Sequence, residues 1–440
     1  MGMTTPAARS LSMRTLPMRT LPIRYLLVLW LLVISAVAFL DRTNISIAGV
    51  QIGKEFGIDH ARLGWVFSAF LVGYASLQIP GGMLARRFGP RRVLALSVVW
   101  WGVFTALTAL ASPSVPFALV LLIVIRFALG AGEAVMYPAA SQFVERWFPS
   151  AERGKANGII FGGVGLGSGL TPPLLTAVIL RYGWRISFWL CAVVGVVAGV
   201  VWYLAARDTP EQHPLVSPRE LEHIAAGRDP VKNPHSAVPS NPRNRTGVWL
   251  RKDVVALTLS YFTFGYVAWI FFSWFYIYLA QVRGLNLKTS AVYTMLPFIA
   301  MTLGSLLGGA ISDWLSRAVG TRTGRRLLPA CALASTAVLL LVGSRSQSAQ
   351  TASLILASGA GALYLSQSCY WSVATDIAGR HAGLIGGIMN MGGQIGGAVT
   401  ASLTPLIAMH FGWGASFFTA AALAAMGALA WLAVDQDARL

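Results

Sequence analysis

The amino-acid sequence predicts an all-α integral membrane protein with twelve transmembrane helices arranged in two six-helix bundles. Three observations lead to this fold class: an apolar composition, a series of long apolar runs, and a repeat that relates the two halves of the chain. Of the 440 residues, 55% are hydrophobic and only 11% are charged, and the mean hydropathy is +0.63. Soluble domains carry about 25% charged residues, so the composition indicates a chain that lies in a bilayer.

The apolar runs are each long enough to cross a hydrocarbon core of about 30 Å as a helix of about 20 residues. Numbered as spans 1 to 12, they cover residues 25–49, 61–83, 93–112, 115–140, 155–180, 184–206, 253–281, 289–314, 327–344, 350–374, 382–408 and 413–433. An even number of spans puts both termini on the same side of the membrane.

The distribution of basic residues predicts which side that is. Most of the 34 Lys and Arg residues fall on the face that carries the termini. By the positive-inside rule, both termini and the long central loop are cytoplasmic in a cell inner (plasma) membrane. The net charge of +18 is therefore mainly an orientation signal. A nucleic-acid partner is excluded, since it would need a basic patch on a soluble domain.

The predicted organisation is a cytoplasmic tail at 1–24, a six-helix bundle at 25–206, a cytoplasmic linker at 207–252, a second six-helix bundle at 253–433 and a cytoplasmic tail at 434–440. The basic tail precedes an apolar run that is too long for a signal peptide, so we expect a retained first helix. The proline-rich linker is expected to contain only one short helix, near Pro218–Ala226.

The two halves repeat each other in sequence. RYGWRISFW at 181–189 returns as HFGWGASFF at 410–418. The same offset superposes three glycines of span 5 on three of span 11: Gly158, Gly163 and Gly167 on Gly387, Gly392 and Gly396. Parallel repeats of this kind occur in transporters that rock two bundles about a site at the midplane of the membrane.

Four formally charged residues lie deep inside predicted spans: Asp41 and Arg42 in span 1, and Arg126 and Glu133 in span 4. Each would cost about 2.5–3.5 kcal/mol at the bilayer centre if it were unpaired. Arg126 and Glu133 are two helical turns apart, about 10.5 Å along nearly the same face. Asp41 and Arg42 point about 100° apart, so one can meet span 4 while the other faces a cavity.

This pattern has a structural and a functional interpretation. The four residues could form a neutral packing cluster, but ionisable residues inside membranes usually serve function. Arginine keeps its proton and offers a planar fork to a carboxylate, whereas a buried carboxyl group can take up a proton. Protonation of Asp41 or Glu133 would release an arginine to hold an anionic substrate, which would couple proton binding to anion binding.

Other chemistry is not indicated by the sequence. The glycines of spans 5 and 11 indicate close helix approach rather than a phosphate loop, because no Lys-Ser or Lys-Thr follows them. The three cysteines, Cys191, Cys331 and Cys369, fall within spans and are expected to be buried reduced thiols. No catalytic or metal-ligand spacing appears, so we expect neither an enzyme nor a metal or other cofactor.

The loop between spans 2 and 3 contains Gly82, Arg87, Gly89, Arg91 and Arg92. Their spacing resembles the signature loop of the major facilitator superfamily. Arg86 stands where the family has an acidic residue, so the loop of the first half lacks the acid of the family's gating ion pair. The resemblance implies the major facilitator fold.

The second half retains a version of the same loop. Asp313 in GGAISDW keeps the acid, and Arg325 and Arg326 follow farther along. By resemblance these loops form a cytoplasmic latch. Read from the residues alone, the arginines of both loops could equally serve only to fix topology.

Three longer strings are informative: FLDRTNISIA in span 1, RFALGAGEAVMYPAA with ERWFPSAERGKANG around spans 4 and 5, and GGIMNMGGQIGGAVTASLTP in span 11. Together they resemble the anion:cation symporter family, which includes bacterial sugar-acid/proton symporters for galactonate, glucarate and hexuronates. The resemblance implies that Asp41 and Glu133 bind protons and that Arg42 and Arg126 bind substrate. It also implies pocket roles for Tyr74, Trp371 and Asn390.

Each of these pocket residues has a simpler interpretation. Tyr74 could be a core aromatic residue and Trp371 an interfacial ring. Asn390 could bond across helices rather than contact ligand, and Gln394, one turn later, could do either.

Span 7 is rich in aromatic residues where sugar-acid carriers have polar side chains. Most of these rings could face lipid or neighbouring helices, and we select Tyr261 and Tyr266 as binding candidates.

The sequence therefore predicts a proton-coupled symporter that imports a small organic anion by alternating access, with protons as the coupling ion. A sugar acid (aldonate, hexuronate or aldarate) is the leading substrate class. The alternative is an aromatic or short dicarboxylic acid, such as a phthalate-like or tartrate-like compound, and a membrane sensor without transport is a third hypothesis. The predicted partners are the anion, protons and the lipid bilayer, and the predicted state is a monomer.

Overall fold

The computed structural model describes residues 21–149, 152–227, 251–378 and 382–434, and the regular structure in these ranges is helical. Ten helices are long and apolar enough to span a membrane; they are Ile23–Phe56, His60–Phe88, Pro90–Leu110, Ala118–Trp147, Arg153–Tyr182, Trp184–Ala205, Lys252–Ser273, Leu287–Val319, Thr323–Arg345 and Trp413–Leu432. Span 10 consists of Ala349–Leu365 and Gln367–Ala378, and span 11 is Ala382–Phe411. The predicted twelve-span fold is confirmed.

The two halves pack in the same way. Span 1 packs on span 5, span 2 on span 4, and span 3 on span 6; spans 7 and 11, 8 and 10, and 9 and 12 form the equivalent pairs. Glycines allow the first of these pairs to approach closely, since a side chain on Gly163 or Gly167 would meet the span 1 backbone at Leu32 and Ala36. Gly396 lies against the Phe262 backbone of span 7 in the same manner. The repeat is therefore present in the packing as well as in the sequence.

Spans 4 and 10 are both broken near their middles. Span 4 consists of helices Ala118–Glu133 and Met136–Trp147, and the chain bends between them. Span 10 is interrupted at Ser366. Glu133 is thus the last residue of its helical segment, at the point where the α-helical hydrogen bonding of the backbone is interrupted.

The bundles meet most closely at the membrane face opposite the linker, which we call the opposite face. Several hydrogen bonds join the bundles on this side of the midplane. Among them, Ser46 Oγ donates to Ser273 O (2.7 Å), Ser68 Oγ donates to Ala398 O (2.6 Å), and His60 Nε2 pairs with Gln281 Oε1 (2.7 Å). These contacts close the opposite face.

The face that carries linker residues 207–227, which we call the linker face, is more open. Spans 5 and 8 touch at Gly165 and Thr302, but a side chain added at Gly158 or Gly309, nearer the linker face, would meet no atom within 4 Å. Spans 2 and 11 behave similarly, since a Cβ atom added at Gly387 would lie 3.9 Å from Ile79, which is ordinary van der Waals contact. The bundles therefore splay apart towards the linker.

The linker helix Pro218–Ala226 forms where the sequence predicts it; residues 228–250 of the linker lie outside the described residues. Its Glu220 carboxylate accepts hydrogen bonds from the backbone N–H groups of Ile23 (3.2 Å) and Arg24 (3.1 Å) and from Arg24 Nη1 (3.2 Å). Glu220 thereby caps the start of span 1 and ties the linker to the first bundle.

Glu152 extends this linker contact. It accepts hydrogen bonds from Tyr25 (3.0 Å) and Arg24 Nε (3.3 Å) and pairs with His223 (2.7 Å). Burial opposes ionisation, but the hydrogen bonds from His223 and Tyr25 hold the pKa of Glu152 below its usual value. Its stabilising contribution is therefore present above the usual glutamate pKa of about 4.3 and is lost as the pH falls through the lowered pKa.

Replacing Glu220 with alanine is expected to destabilise the protein by about 1–3 kcal/mol, because it leaves Arg24 Nη1 and two backbone N–H groups without their acceptor. The measurement is the thermal unfolding midpoint in detergent. Glu222, which is exposed on the same helix, supplies the matched control, and Glu222→Ala should leave the midpoint unchanged. Equal midpoints for the two variants would contradict the capping role.

The cysteines follow the prediction only in part. Cys191 and Cys369 are buried, as expected, but the expectation is wrong for Cys331, which is exposed. Hydropathy locates a residue within a span but does not say which side of the helix faces lipid. Of the predicted terminal tails, residues 1–20 and 435–440 lie outside the described residues.

Candidate functional site

The four intramembrane charges lie together in the first bundle. Asp41, Arg42, Arg126 and Glu133 are all buried, each 5% exposed or less. Span 1 carries two of them on successive positions, and the first segment of span 4 carries the other two. The structure thus brings the predicted residues into one compact, buried cluster.

Arg42 and Glu133 form a buried ion pair. Arg42 Nε donates to Glu133 Oε2 at 2.6 Å. Arg42 Nη2 and Glu133 Oε1 have no hydrogen-bond partner among the described residues. The pair therefore uses only one of the two hydrogen bonds that an arginine fork and a carboxylate can share, and one donor is left for another acceptor.

Aromatic rings surround the Arg42 guanidinium. Its Cζ lies 4.5 Å from the centroid of Phe39, 4.6 Å from that of Tyr74 and 5.5 Å from that of Phe70. Cation–π contacts of this kind stabilise a desolvated guanidinium without neutralising it. The predicted binding residue Tyr74 is 2% exposed and lies directly against the cluster.

Arg126 and Asp41 interact electrostatically but are less well satisfied than the first pair. Among the described residues, Arg126 Nε and Nη1 and both oxygens of Asp41 lack a partner at hydrogen-bond geometry. The Arg126 guanidinium lies 4.9 Å from the Phe70 ring centroid. A buried charge with free hydrogen-bonding atoms is costly, so this half of the cluster is the part best suited to bind a polar ligand.

Neutral polar groups surround Asp41 on its far side. Thr105 and Cys191 lie beside its carboxylate. Cys191 Sγ in turn accepts from Asn44 Nδ2 (3.6 Å), and Asn44 Oδ1 accepts from Ser187 Oγ (2.8 Å). Among the described residues, Arg126 is the cation that acts on Asp41, so Arg126 and a proton are the groups that can neutralise this carboxylate.

The second bundle contributes uncharged groups. Tyr261 accepts a hydrogen bond from Gln367 Nε2 (3.2 Å), and its ring lies 6.4 Å from that of Trp371. Trp371 is 38% exposed. Asn390 and Gln394, one turn apart on span 11, are half-buried. These predicted residues all lie on spans 7, 10 and 11, and Tyr261 interacts electrostatically with Tyr74 across the bundle boundary.

Tyr266, in contrast, does not join this group. It is fully buried and lies beside Thr400 and Thr404, between spans 7 and 11. Five residues separate it from Tyr261, which rotates its side chain about 140° around the helix. Its role as a binding residue stays a prediction, and its position is that of a helix-packing residue.

Three further polar residues near the site are not among the predicted ones: Tyr137, Tyr364 and Gln367. Tyr137 follows Glu133 by one turn, and its hydroxyl lies 2.8 Å from Ser35 Oγ. Gln367 begins the second segment of span 10, and its Oε1 has no partner among the described residues. The break in each span could have pointed to them, but the sequence does not show where a long apolar run is interrupted.

The loop between spans 2 and 3 lies against its own bundle. Gly82 O accepts from Gln142 Nε2 (2.8 Å), and Arg87 and Arg92 are exposed. Gly89 has φ +88°, which a side chain would not tolerate. Arg91 donates to Tyr203 O through Nη2 (2.7 Å), at the end of span 6.

The corresponding loop of the second half repeats this contact. Arg326 Nη2 donates to Leu432 O (2.8 Å), and Trp431 Nε1 donates to Arg326 O (3.2 Å), as Trp202 does to Arg91 O (3.2 Å). Arg325 lies on the same helix, whereas the side chain of Asp313 lies outside the described residues. Both arginines thus fasten a loop to the last span of their own bundle, and the latch role stays a prediction.

The chain is similar in sequence to known transport proteins. The family model described as Major Facilitator Superfamily matches residues 31–401. The chain is 33% identical to a probable sulfoacetate transporter of Cupriavidus necator, over 91% of each chain. It is 30% identical to a probable galactarate/D-glucarate transporter of Escherichia coli, over 83% of each, and 27% identical to a hexuronate transporter of Bacillus subtilis, over 90% of each.

A solved structure has the same fold. It is a bacterial homologue of the human lysosomal transporter Spinster, in an inward-facing and unoccupied conformation. The TM-score is 0.76 at 18% sequence identity, and the match covers 94% of this chain and 97% of that one.

Proposed function

Because this chain belongs to the Major Facilitator Superfamily, and is therefore a membrane transporter and not an enzyme, we propose that it is a proton-coupled symporter for a small organic anion. The observation that carries the proposal is the buried cluster of two arginines and two carboxyl groups in spans 1 and 4. Arg126 supplies unused donors, and Arg42 is held by a carboxyl group that can be neutralised.

Substrate binding follows from the chemistry of the two arginines. A carboxylate of the substrate accepts hydrogen bonds from Arg126 Nε and Nη1 and from Arg42 Nη2, the donors that have no partner among the described residues. The guanidinium fork matches a carboxylate in shape and charge. The surrounding rings of Phe39, Phe70 and Tyr74 keep water away and strengthen these contacts.

Proton coupling follows from the Arg42–Glu133 pair. A protonated Glu133 no longer attracts Arg42 as an anion, so Arg42 can turn to the substrate. Asp41 acts in the same way on Arg126. In the proposed cycle, both carboxyl groups take up protons in the outward-facing state, the anion binds, the bundles rock, and anion and protons leave inside. Each proton offsets one negative charge, so the stoichiometry decides whether the membrane potential drives uptake.

A sugar acid is the substrate class that we propose first. Tyr261, Gln367, Asn390 and Gln394 offer the second bundle's hydroxyl and amide groups, which can pair with the hydroxyls of an aldonate, hexuronate or aldarate. Relatives named for hexuronate and for galactarate and D-glucarate support this class. The relative named for sulfoacetate supports a small anion more generally.

A second candidate is an aromatic or short dicarboxylic acid carried by the same mechanism. The rings of Tyr261, Phe264 and Trp371 favour it, because Tyr261 and Phe264 stack with centroids 5.1 Å apart and Trp371 is partly exposed. Such a wall can stack on an aromatic acid as well as on a sugar ring.

We also propose the setting in which this transporter works. The linker face is cytoplasmic, both termini are cytoplasmic, the membrane is the cell inner membrane, and the chain acts as a monomer. The basic residues of the linker face support this orientation. In that orientation the splayed bundles open towards the cytoplasm, which corresponds to the inward-facing state of the cycle.

Purified protein in proteoliposomes tests the proposal. We expect uptake of at least one radiolabelled sugar acid (galactonate, glucuronate or glucarate) that accumulates when the outside is more acidic and stops when a protonophore removes the gradient. Empty liposomes and liposomes with equal pH on both sides are the controls. Uptake of phthalate with no response to any sugar acid would favour the second candidate, and accumulation that ignores the proton gradient would contradict the coupling.

A further inference from the structure

Two tyrosines, one on each broken span, interact electrostatically across the boundary between the bundles. Tyr137 is the second residue of the second segment of span 4, and Tyr364 is the penultimate residue of the first segment of span 10. The two interact electrostatically, and Tyr364 interacts likewise with Tyr261. The breaks therefore bring one phenol from each bundle to the same space.

Tyr137 is held in a fixed orientation. Its ring stacks on Phe161 with centroids 5.0 Å apart and planes 10° apart, and its hydroxyl pairs with Ser35 Oγ at 2.8 Å. It also interacts electrostatically with Arg42 and Glu133. Tyr137 thus marks the edge of the charged cluster on the side of the second bundle.

Tyr364 is positioned by its ring and not by its hydroxyl. The ring lies 5.2 Å from that of Phe264, and the residue is half-buried. Among the described residues its hydroxyl makes no hydrogen bond, whereas the neighbouring Tyr370 pairs with Ser260 Oγ (2.7 Å) and Tyr261 with Gln367 (3.2 Å). The Tyr364 phenol is thus a hydrogen-bonding group available to a ligand.

The distribution of charge sets the direction in which a bound acid lies. Its carboxylate belongs with Arg42 and Arg126 in the first bundle, and the rest of the molecule must extend towards the uncharged groups of the second. Tyr364 packs on Phe264, which in turn stacks on Tyr261 (5.1 Å), and it interacts electrostatically with Tyr137, so it lies among the groups that this tail meets. A phenol can both donate and accept, which matches an alcohol hydroxyl better than it matches a bare hydrocarbon chain.

We propose that Tyr364 is a specificity-determining residue whose hydroxyl pairs with a hydroxyl on the tail of the bound acid, opposite Tyr137. This inference rests on the proposed function, because it takes the two arginines as the carboxylate site. A site built to pair with a substrate hydroxyl disfavours the analogue that lacks it, since the phenol, covered by the bound acid, then stays unpaired. Tyr364 thereby selects hydroxylated acids over unsubstituted ones.

The test compares two diacids of equal length, glucarate with four hydroxyls and adipate with none, in counterflow assays on the full-length protein. Tyr364→Phe keeps the ring on Phe264 and removes only the hydroxyl. We expect the half-saturating concentration of glucarate to rise about fivefold, the equivalent of one hydrogen bond, with little change for adipate. Tyr370→Phe, which removes a hydroxyl already paired within the protein, is the matched control and should leave the ratio of the two acids unchanged.

The results of this assay distinguish a failure of the Tyr364 assignment from a failure of the proposed function. If the wild-type protein carries glucarate but Tyr364→Phe leaves its half-saturation unchanged, or weakens both acids equally, the assignment of Tyr364 is wrong while the proposed function stands. If the wild-type protein prefers adipate, hydroxyl recognition is overturned as well. If neither acid nor any sugar acid is carried, the proposed function itself has failed, and the assignment fails with it.

Discussion

Arg126→Ala is expected to reduce uptake by about thirtyfold or more, because losing one partner of a buried charged hydrogen bond costs about 2–5 kcal/mol. Arg126 is 1% exposed, and its Nε and Nη1 have no hydrogen-bond partner among the described residues. Arg126→Lys should fail almost as badly, since an ammonium group carries the charge but lacks the planar fork. The loss should appear in equilibrium binding of the labelled acid as well as in transport.

Arg181 supplies the control for this prediction. It is exposed at the end of span 5, where its guanidinium lies over the Tyr182 ring (5.3 Å). Arg181→Ala removes one positive charge from the protein without touching the cluster, and we expect binding close to that of the wild type. Arg126→Ala protein that folds and still binds the acid with unchanged affinity would refute the role of Arg126 as an anion site.

Glu133→Gln is expected to separate exchange from accumulation. The amide has the shape of the protonated carboxyl group, so Arg42 loses its fixed anionic partner at every pH. Counterflow of the labelled acid should therefore persist, because it needs only binding and rocking. Accumulation driven by a pH gradient should be abolished, because position 133 can no longer take up and release a proton.

Glu55→Gln is the matched control for Glu133→Gln. Glu55 also binds an arginine, Arg185, at 2.6 Å, but this pair is partly exposed at the opposite face. We expect Glu55→Gln to accumulate substrate normally, since exposed ion pairs contribute little and do not face the cluster. Normal accumulation by Glu133→Gln would show that protons are carried elsewhere.

The buried charges illustrate how far sequence reasoning reaches in this chain. The cost of an unpaired charge in a bilayer singled out Asp41, Arg42, Arg126 and Glu133, and helical spacing put the last two on one face. Spacing within one helix says nothing about the angle at which another helix passes it. For that reason the sequence did not identify Glu133 as the partner of Arg42, nor Arg126 as the guanidinium with unused donors.

The aromatic residues of span 7 show the same difference between what the sequence predicts and what the structure decides. Sequence reasoning treated Tyr261 and Tyr266 alike, because both lie in one aromatic run. In the structure Tyr261 meets Gln367 and Trp371, whereas Tyr266 packs beside Thr400 and Thr404. Their different surroundings depend on which face of span 7 meets span 11, and an all-apolar helix carries no periodic signal of its orientation.

By itself, the sequence determined the class of protein, the twelve spans, the repeated bundles and the four charges that need a function. These features depend on composition, on run length and on repeats, all of which can be read along the linear sequence. Only the tertiary structure decided that Glu133 is the carboxyl group that holds Arg42, and that Gln367 and Trp371 lie beside Tyr261. Those contacts join residues far apart in the chain, and their distances are set by how whole helices pack.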